Sequence, residues 1–156
     1  LLRAVSCIDL TTLSGDDTEG RVYRLCDKAK NPIRSDILKK LEMPQIKVGA
    51  VCVYHDMIAS AAERLGETNI PIAAVSTGFP AGLSPLNLRI AEIKESVTAG
   101  ANEIDIVISR RHVLTQNWAA LYNEVRQFRD ACGDAHLKTI LATGELGSLR
   151  NVARAS

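Results

Sequence analysis

The sequence lacks most features of secreted, membrane-spanning or nucleic-acid-binding proteins. Its four cysteines form no CxxC pair, which argues against a zinc site or a disulfide framework and favours a reducing, cytoplasmic setting. No apolar run is long enough to span a bilayer, and the first residues do not resemble a signal peptide. With 19 basic and 18 acidic side chains, the charge gives no reason to expect a nucleic acid or an anionic membrane as partner. The three histidines lie far apart, so no metal-ligand spacing is visible.

The composition is that of a globular protein with a real core. Hydrophobic residues make up 46% of the 156 positions and charged residues 24%, which fits one ordinary domain spanning residues 1–156. Strand-like and helix-like segments alternate five times along the chain. Strands are predicted at Ala4–Leu10, Val48–Tyr54, Ile72–Ser76, Glu103–Ile108 and Leu137–Leu141. Helices are predicted from Thr18 to about Lys30, at Ser35–Leu41, Met57–Leu65, Leu86–Ala99 and Trp118–Cys132, and after Ser148.

This alternation predicts an α/β fold with a parallel sheet and helices outside it. Two architectures remain open at this point. An open doubly wound sheet would be complete at this length, whereas a (β/α)₈ barrel needs roughly 250 residues and eight units. The apolar stripes of the two longest helices are predicted from their spacing to be Leu86, Ile90, Ile93 and Val97, and Leu121, Tyr122, Val125 and Phe128.

The predicted strand Glu103–Ile108 carries an aspartate between isoleucines. Because side chains alternate along a strand, Asp105 shares a face with Glu103 and Val107. A carboxylate inside such a strand is costly to bury unless it is paired or hydrogen-bonded. Asp105 is therefore a candidate catalytic group, or else an anchor for a lysine or a backbone amide inside the fold.

Polar side chains recur on one face of the other strands. Asp9 and Thr11 share a face of the first strand, Cys52 lies within the second, and Lys138 lies on the fifth. Since a covered parallel strand should be nearly all apolar, these residues predict a polar face that lines a site. Simpler roles are open to each: Asp9 could cap the backbone after it, Cys52 could be a small buried hydrophobe, and Lys138 could reach out to water.

An aspartate and a lysine on neighbouring strands are the components of a Schiff-base enzyme. On chemistry alone Lys138 is the best nucleophile in the chain, with Asp105 as proton carrier. The loop Gly78–Gly82 lacks both GxGxxG and a GK[ST] ending, so it is a weak nucleotide signature. Phe79 in this loop is expected to shape a pocket wall.

Five motifs in one order resemble the deoxyribose-phosphate aldolase family of class I aldolases, most closely its eukaryotic branch. They are Ile8–Leu13, Ala50–Tyr54, Gly78–Gly82, Gly100–Val107 and Leu137–Leu146. The resemblance implies a (β/α)₈ TIM barrel, of which residues 1–156 would be a single partial domain with the first five βα units. It also implies reversible cleavage of 2-deoxy-D-ribose 5-phosphate into acetaldehyde and glyceraldehyde 3-phosphate through a lysine Schiff base, without metal or cofactor, in cytoplasmic deoxynucleoside catabolism.

By this resemblance Asp105 is the catalytic aspartate of the proton relay, and Lys138 supports the acid–base network. Asp9, Thr11, Cys52 and Phe79 resemble substrate-pocket residues. The expected partner is a small phosphorylated sugar or aldehyde, and a homo-oligomer is possible.

The chain departs from the family pattern in one respect that bears on catalysis. The family's Schiff-base lysine lies on the sixth strand in a motif like IKTSTGK, and a second lysine lies on the seventh; this sequence stops at Ser156, before both. The resemblance therefore demotes Lys138 from nucleophile to supporting residue and predicts an inactive fragment. The first and fifth strands would expose their edges, so the isolated chain is expected to associate.

Two other functions are carried forward as alternatives. One is a non-catalytic relative that keeps the scaffold as a binding protein. The other is an open-sheet protein that binds a nucleotide or phosphate, suggested by the chain length and by two glycine-containing loops.

Overall fold

The computed structural model describes residues 2–156 and has an α/β fold, as the sequence predicts. One sheet of five strands has the order β1-β2-β3-β4-β5, and the β1–β2 and β4–β5 pairs are parallel. The strands are β1 Asp9–Thr11, β2 Ala50–Tyr54, β3 Ile72–Ser76, β4 Glu103–Val107 and β5 His136–Ile140. The helices are α1 Leu2–Val5, α2 Glu19–Lys30, α3 Ser35–Lys40, α4 Ile58–Leu65, α5 Leu86–Thr98, α6 Arg110–Leu114, α7 Trp118–Cys132 and α8 Leu149–Ala155. None of the helices in this described part has the length and apolar character needed to cross a bilayer.

The chain divides into two compact units. The first contains the residues up to Ala74 together with Ala99–Asn102, and the second contains Val75–Thr98 and Glu103–Ser156. β1, β2 and the helices α1 to α4 belong to the first unit, whereas β4, β5 and the helices α5 to α8 belong to the second.

In the first unit, α2 packs against α4 and β2. The Thr18 side chain accepts a hydrogen bond from the backbone N–H of Arg21, so α2 begins where its cap predicts. The helix buries Val22, Cys26 and Ala29. On the sheet, β1 and β2 run in register with Thr11 opposite Cys52.

The prediction of a strand over Ala4–Leu10 is wrong for most of its length. Residues Leu2–Val5 form α1, and the strand β1 begins only at Asp9. The Ser6 hydroxyl and the Cys7 N–H both bond back to carbonyls one turn earlier, which closes a turn instead of extending the chain. A Cβ on Gly49 would lie only 2.9 Å from the Ser6 carbonyl oxygen, so glycine there lets this turn sit against the start of β2.

In the second unit, α5 packs against α7, and α7 contacts β5. The predicted apolar stripes are only partly correct. Helix α5 buries Arg89 and Ser96 beside Ile93, whereas the predicted Leu86 is exposed. Helix α7 buries Glu124 among Leu121, Phe128 and Cys132, and the predicted Tyr122 is 69% exposed. The physical reason is an ion pair between the two helices, described below.

The outer strands of the sheet are the least covered. No residue of β1 or β5 is fully buried, whereas every residue of β3 is. β1 and β5 each have one neighbouring strand in the sheet. The association expected from these edges stays a prediction.

Candidate active site

The two predicted catalytic residues lie side by side on β4 and β5. The parallel register places Asp105 opposite Lys138, so their side chains share a face of the sheet. The Lys138 Nζ lies 3.1 Å from Asp105 Oδ1 and 3.0 Å from Glu103 Oε2. The Lys138 side chain is 31% exposed and that of Asp105 12%, so the cluster is sheltered and still open to a small molecule. Asp105 is thus paired within a cluster of groups that can exchange protons.

Glu103 is the member of this cluster that sequence reasoning left out. It stands two positions before Asp105 on the same strand face, and that spacing could have identified it. Its carboxylate makes the cluster two negative charges around one positive charge. A Schiff-base nucleophile must attack as a free neutral amine, whereas the Lys138 amine is engaged by both carboxylates.

Three further predicted residues lie in the first unit, on β1 and β2. Thr11 stands opposite Cys52, and Asp9 stands opposite Ala50. The Thr11 hydroxyl donates to the Asp9 carbonyl oxygen at 2.9 Å. Cys52 is 4% exposed. A thiol and a hydroxyl therefore stand at one level of the sheet.

Phe79 lies in the loop between β3 and α5, and this loop is held by an arginine that the sequence did not single out. Arg110 donates to the carbonyl oxygens of Pro80 at 3.4 Å and Ala81 at 3.1 Å, and its Nε lies 2.9 Å from Glu145 Oε2. Arg110 thus joins three loops that follow β3, β4 and β5. In parallel α/β folds the carboxyl ends of the strands are where sites are built.

A buried ion pair fixes the end of β4. Arg89 Nη1 lies 2.7 Å from Glu124 Oε1, and the two side chains are 3% and 6% exposed. The same guanidinium donates to the carbonyl oxygens of Thr77 and Val107 and to the Ser109 hydroxyl. Charged residues are almost never buried unless they are paired, and here the pairing satisfies most of the donors of Arg89. The helical periodicity of α5 gave no signal for this network, because it treats a charged side chain as solvent-facing.

A cavity of about 490 Å³ lies beside this network, within the second unit. Arg89, Ser109 and Glu124 line its wall together with Arg111 and His112. None of the predicted site residues of the second unit lines it. The candidate site is therefore the Asp105–Lys138–Glu103 cluster, because that is where the groups able to move protons converge. Among residues 2–156 no three His, Cys, Asp or Glu side chains are grouped so as to hold a metal ion.

The structure is thus that of an α/β protein whose parallel β4–β5 pair carries an amine–carboxylate cluster. The family model described as DeoC/LacD family aldolase matches residues 3–153. The chain belongs to this family.

Two mammalian proteins are similar to this chain at high sequence identity. The chain is 59% identical over 160 residues to the deoxyribose-phosphate aldolase of Bos taurus and 58% identical to that of Homo sapiens. Each match covers 100% of this chain and 50% of the relative. The chain thus spans about half the length of the curated relatives it matches.

Solved structures agree on the fold. A protein of Coccidioides immitis assigned as a deoxyribose-phosphate aldolase matches with a TM-score of 0.80 at 25% identity, over 99% of this chain and 54% of that one. The deoxyribose phosphate aldolase of Aeropyrum pernix, described as a tetramer, matches with a TM-score of 0.66 at 24% identity, over 99% of this chain and 62% of that one. The neighbours are TIM-barrel aldolases, and this chain matches 54% of the first and 62% of the second.

Proposed function

We propose that this chain is part of a deoxyribose-phosphate aldolase. The reaction is the reversible cleavage of 2-deoxy-D-ribose 5-phosphate into acetaldehyde and glyceraldehyde 3-phosphate. The observation that carries the proposal is the cluster of Lys138, Asp105 and Glu103 on β4 and β5. The proposal is also supported by the two mammalian deoxyribose-phosphate aldolases that are 58–59% identical to this chain.

In this proposal Asp105 carries protons to and from the substrate bound as a Schiff base. Lys138 holds the Asp105 and Glu103 carboxylates in place through its contacts with both. By the family resemblance, Asp9, Thr11, Cys52 and Phe79 are proposed as substrate-binding residues. The nucleophilic lysine is a different residue from Lys138, because the Lys138 amine is already engaged by two carboxylates.

The setting of the reaction is part of the same proposal. We expect a cytoplasmic enzyme of deoxynucleoside catabolism. We also expect a homo-oligomer, since one structural neighbour is described as a tetramer. The substrate is a small phosphorylated sugar, and the chemistry uses protein side chains only.

Reductive trapping tests the assignment. The intact protein that contains residues 1–156 is incubated with acetaldehyde and borohydride, and the ethylated lysine is identified by mass spectrometry. We expect one modified lysine, at a position other than Lys138. A polypeptide of residues 1–156 alone should show no efficient trapping.

Two results would contradict the proposal in different ways. Efficient trapping at Lys138 would return this residue to the role of nucleophile. Absence of trapping and of aldolase activity in the intact protein would favour a non-catalytic binding protein built on the same scaffold. Lys47 is the control lysine for the trapping experiment and should not be modified. Its amine is also hydrogen-bonded, to the Thr68 carbonyl oxygen, but it lies on the loop before β2.

A further inference from the structure

Ser76, the last residue of β3, has a buried hydroxyl without a hydrogen-bond partner in the described part of the chain. Its exposure is 0%, and its Oγ makes no hydrogen bond among residues 2–156. The next residue differs, since the Thr77 hydroxyl donates to the Ser76 carbonyl oxygen at 2.7 Å and accepts from the Val107 N–H at 2.6 Å. Buried hydroxyls are nearly always hydrogen-bonded, so an exception needs an explanation.

The register between β3 and β4 places this hydroxyl on the active-site row. The Asn102 N–H donates to the Ile72 carbonyl oxygen, and the Ile72 N–H donates to Asn102 Oδ1, both at 2.9 Å. In a parallel pair, a carbonyl bonds to the residue after its partner. The partner of Ile72 is therefore Ala101, and four residues further along both strands Ser76 stands opposite Asp105.

Asp105 in turn stands opposite Lys138 on β5. Residues paired across parallel strands place their side chains on the same face, with the strands about 4.8 Å apart. Ser76, Asp105 and Lys138 therefore form one row across three strands. Within this row the Asp105 and Lys138 side chains form an ion pair with each other. The Ser76 hydroxyl makes no hydrogen bond among residues 2–156.

We infer that Ser76 is a substrate-binding residue of this site, whose hydroxyl bonds to a hydroxyl oxygen of a phosphorylated sugar held beside Asp105. The inference rests on the proposed function for the identity of the ligand. A serine hydroxyl suits this role because it can both donate and accept. The hydrogen bond that this hydroxyl does not make in the free protein is then made to the ligand.

The variant Ser76→Ala in the intact protein tests the inference through two separate readouts. Removing one hydrogen bond to the substrate should raise KM for 2-deoxyribose 5-phosphate about three- to tenfold and change kcat less. The melting temperature should stay the same or rise, because the substitution removes a buried polar group that has no partner. A purely structural serine would show the opposite: lower stability and unchanged KM.

Ser96→Ala is the matched control. Ser96 is also buried, but it lies on α5 and donates to the Glu92 carbonyl oxygen of its own helix at 3.0 Å. This variant should leave KM unchanged.

Failure of the inference and failure of the proposed function are distinguishable. An active protein whose KM is unaffected by Ser76→Ala overturns the role of Ser76 and leaves the aldolase proposal standing. If the intact protein has no aldolase activity, calorimetric binding of 2-deoxyribose 5-phosphate decides. Weaker binding by Ser76→Ala than by the wild type then supports the inference, and equal binding or no binding overturns it.

Discussion

Replacing Arg89 by methionine should destabilise the second unit more than any surface substitution. The guanidinium is 3% exposed and lies 2.7 Å from the Glu124 carboxylate. It also donates to Thr77, Val107 and Ser109, and it stacks 4.7 Å from the ring centre of Phe128. Methionine keeps the length and apolar stem of arginine and removes the charge and every donor.

The expected loss of unfolding free energy follows from the Glu124 carboxylate, which stays buried after its partner is removed. Breaking a buried ion pair by removing one partner typically costs about 3–5 kcal/mol, because the remaining charge is buried without compensation. Glu124 would keep its bond from the Ser109 N–H, at 2.8 Å, so a cost near the middle of this range is expected. Folded proteins have total stabilities of about 5–15 kcal/mol, and the loss would be a large share of that.

Urea denaturation followed by circular dichroism measures this loss. Arg64→Met is the matched control, since Arg64 pairs with Asp27 at 2.6 Å but both side chains are nearly half exposed, at 47% and 45%. Exposed pairs contribute about 0.2–1 kcal/mol. If Arg89→Met lowers the free energy of unfolding no more than Arg64→Met does, the argument from burial is wrong. The double variant Arg89→Met with Glu124→Leu should recover part of the loss, because it leaves no lone charge.

Three further predictions concern a loop contact, the thiols and the response to acid. Arg110→Ala should speed amide hydrogen exchange in the loop after β3, whose carbonyls it holds, whereas Arg111→Ala should not. In the folded protein a thiol reagent should modify the exposed Cys7 rapidly and should modify the buried Cys26, Cys52 and Cys132 only on unfolding. Burial also raises the thiol pKa of Cys26 and Cys132, which slows their reaction further. The hydrogen bond from Arg21 lowers the pKa of Asp16 from 3.8 to about 2, so ionised Asp16 stabilises the fold above pH 4 and loses this effect as the pH falls towards 2. Asp16→Asn should remove that part of the acid sensitivity in a pH titration of stability; an unchanged acid response would contradict it.

Much of the fold could be predicted from local sequence signals. The structure gives β3 at Ile72–Ser76 and α7 at Trp118–Cys132, with the predicted bounds. Both are strong cases, because one is a short apolar run behind a proline and the other is a long periodic segment that ends at a glycine. Alternation along a strand is equally local, and it placed Asp105 and Lys138 on faces that the structure brings together.

The burial of Arg89 could not be predicted in this way. Helical periodicity treats a charged side chain as solvent-facing, and it assigned the inner face of α5 to the leucine three positions earlier. What reverses the assignment is Glu124, a partner 35 positions away on another helix. The contacts of Arg110 depend in the same way on residues 29 and 35 positions distant along the chain, at Ala81 and Glu145. Such pairs are decided by tertiary packing, which a local pattern does not contain.

The role of Lys138 shows why residue type alone is a weak guide to catalysis. An amine near a carboxylate satisfies the simplest description of a Schiff-base site, and it favours Lys138 as nucleophile. The structure adds the second carboxylate of Glu103, at 3.0 Å. The Lys138 amine is therefore engaged by two carboxylates, which occupies the group that a Schiff base would need free. The same contacts suit Lys138 to a different task, since its amine lies 3.1 Å from Asp105 Oδ1 and holds that carboxylate in place on the sheet. A proton relay requires a carboxylate held in a fixed position, so in the proposed function the contacts that occupy the Lys138 amine serve to position Asp105.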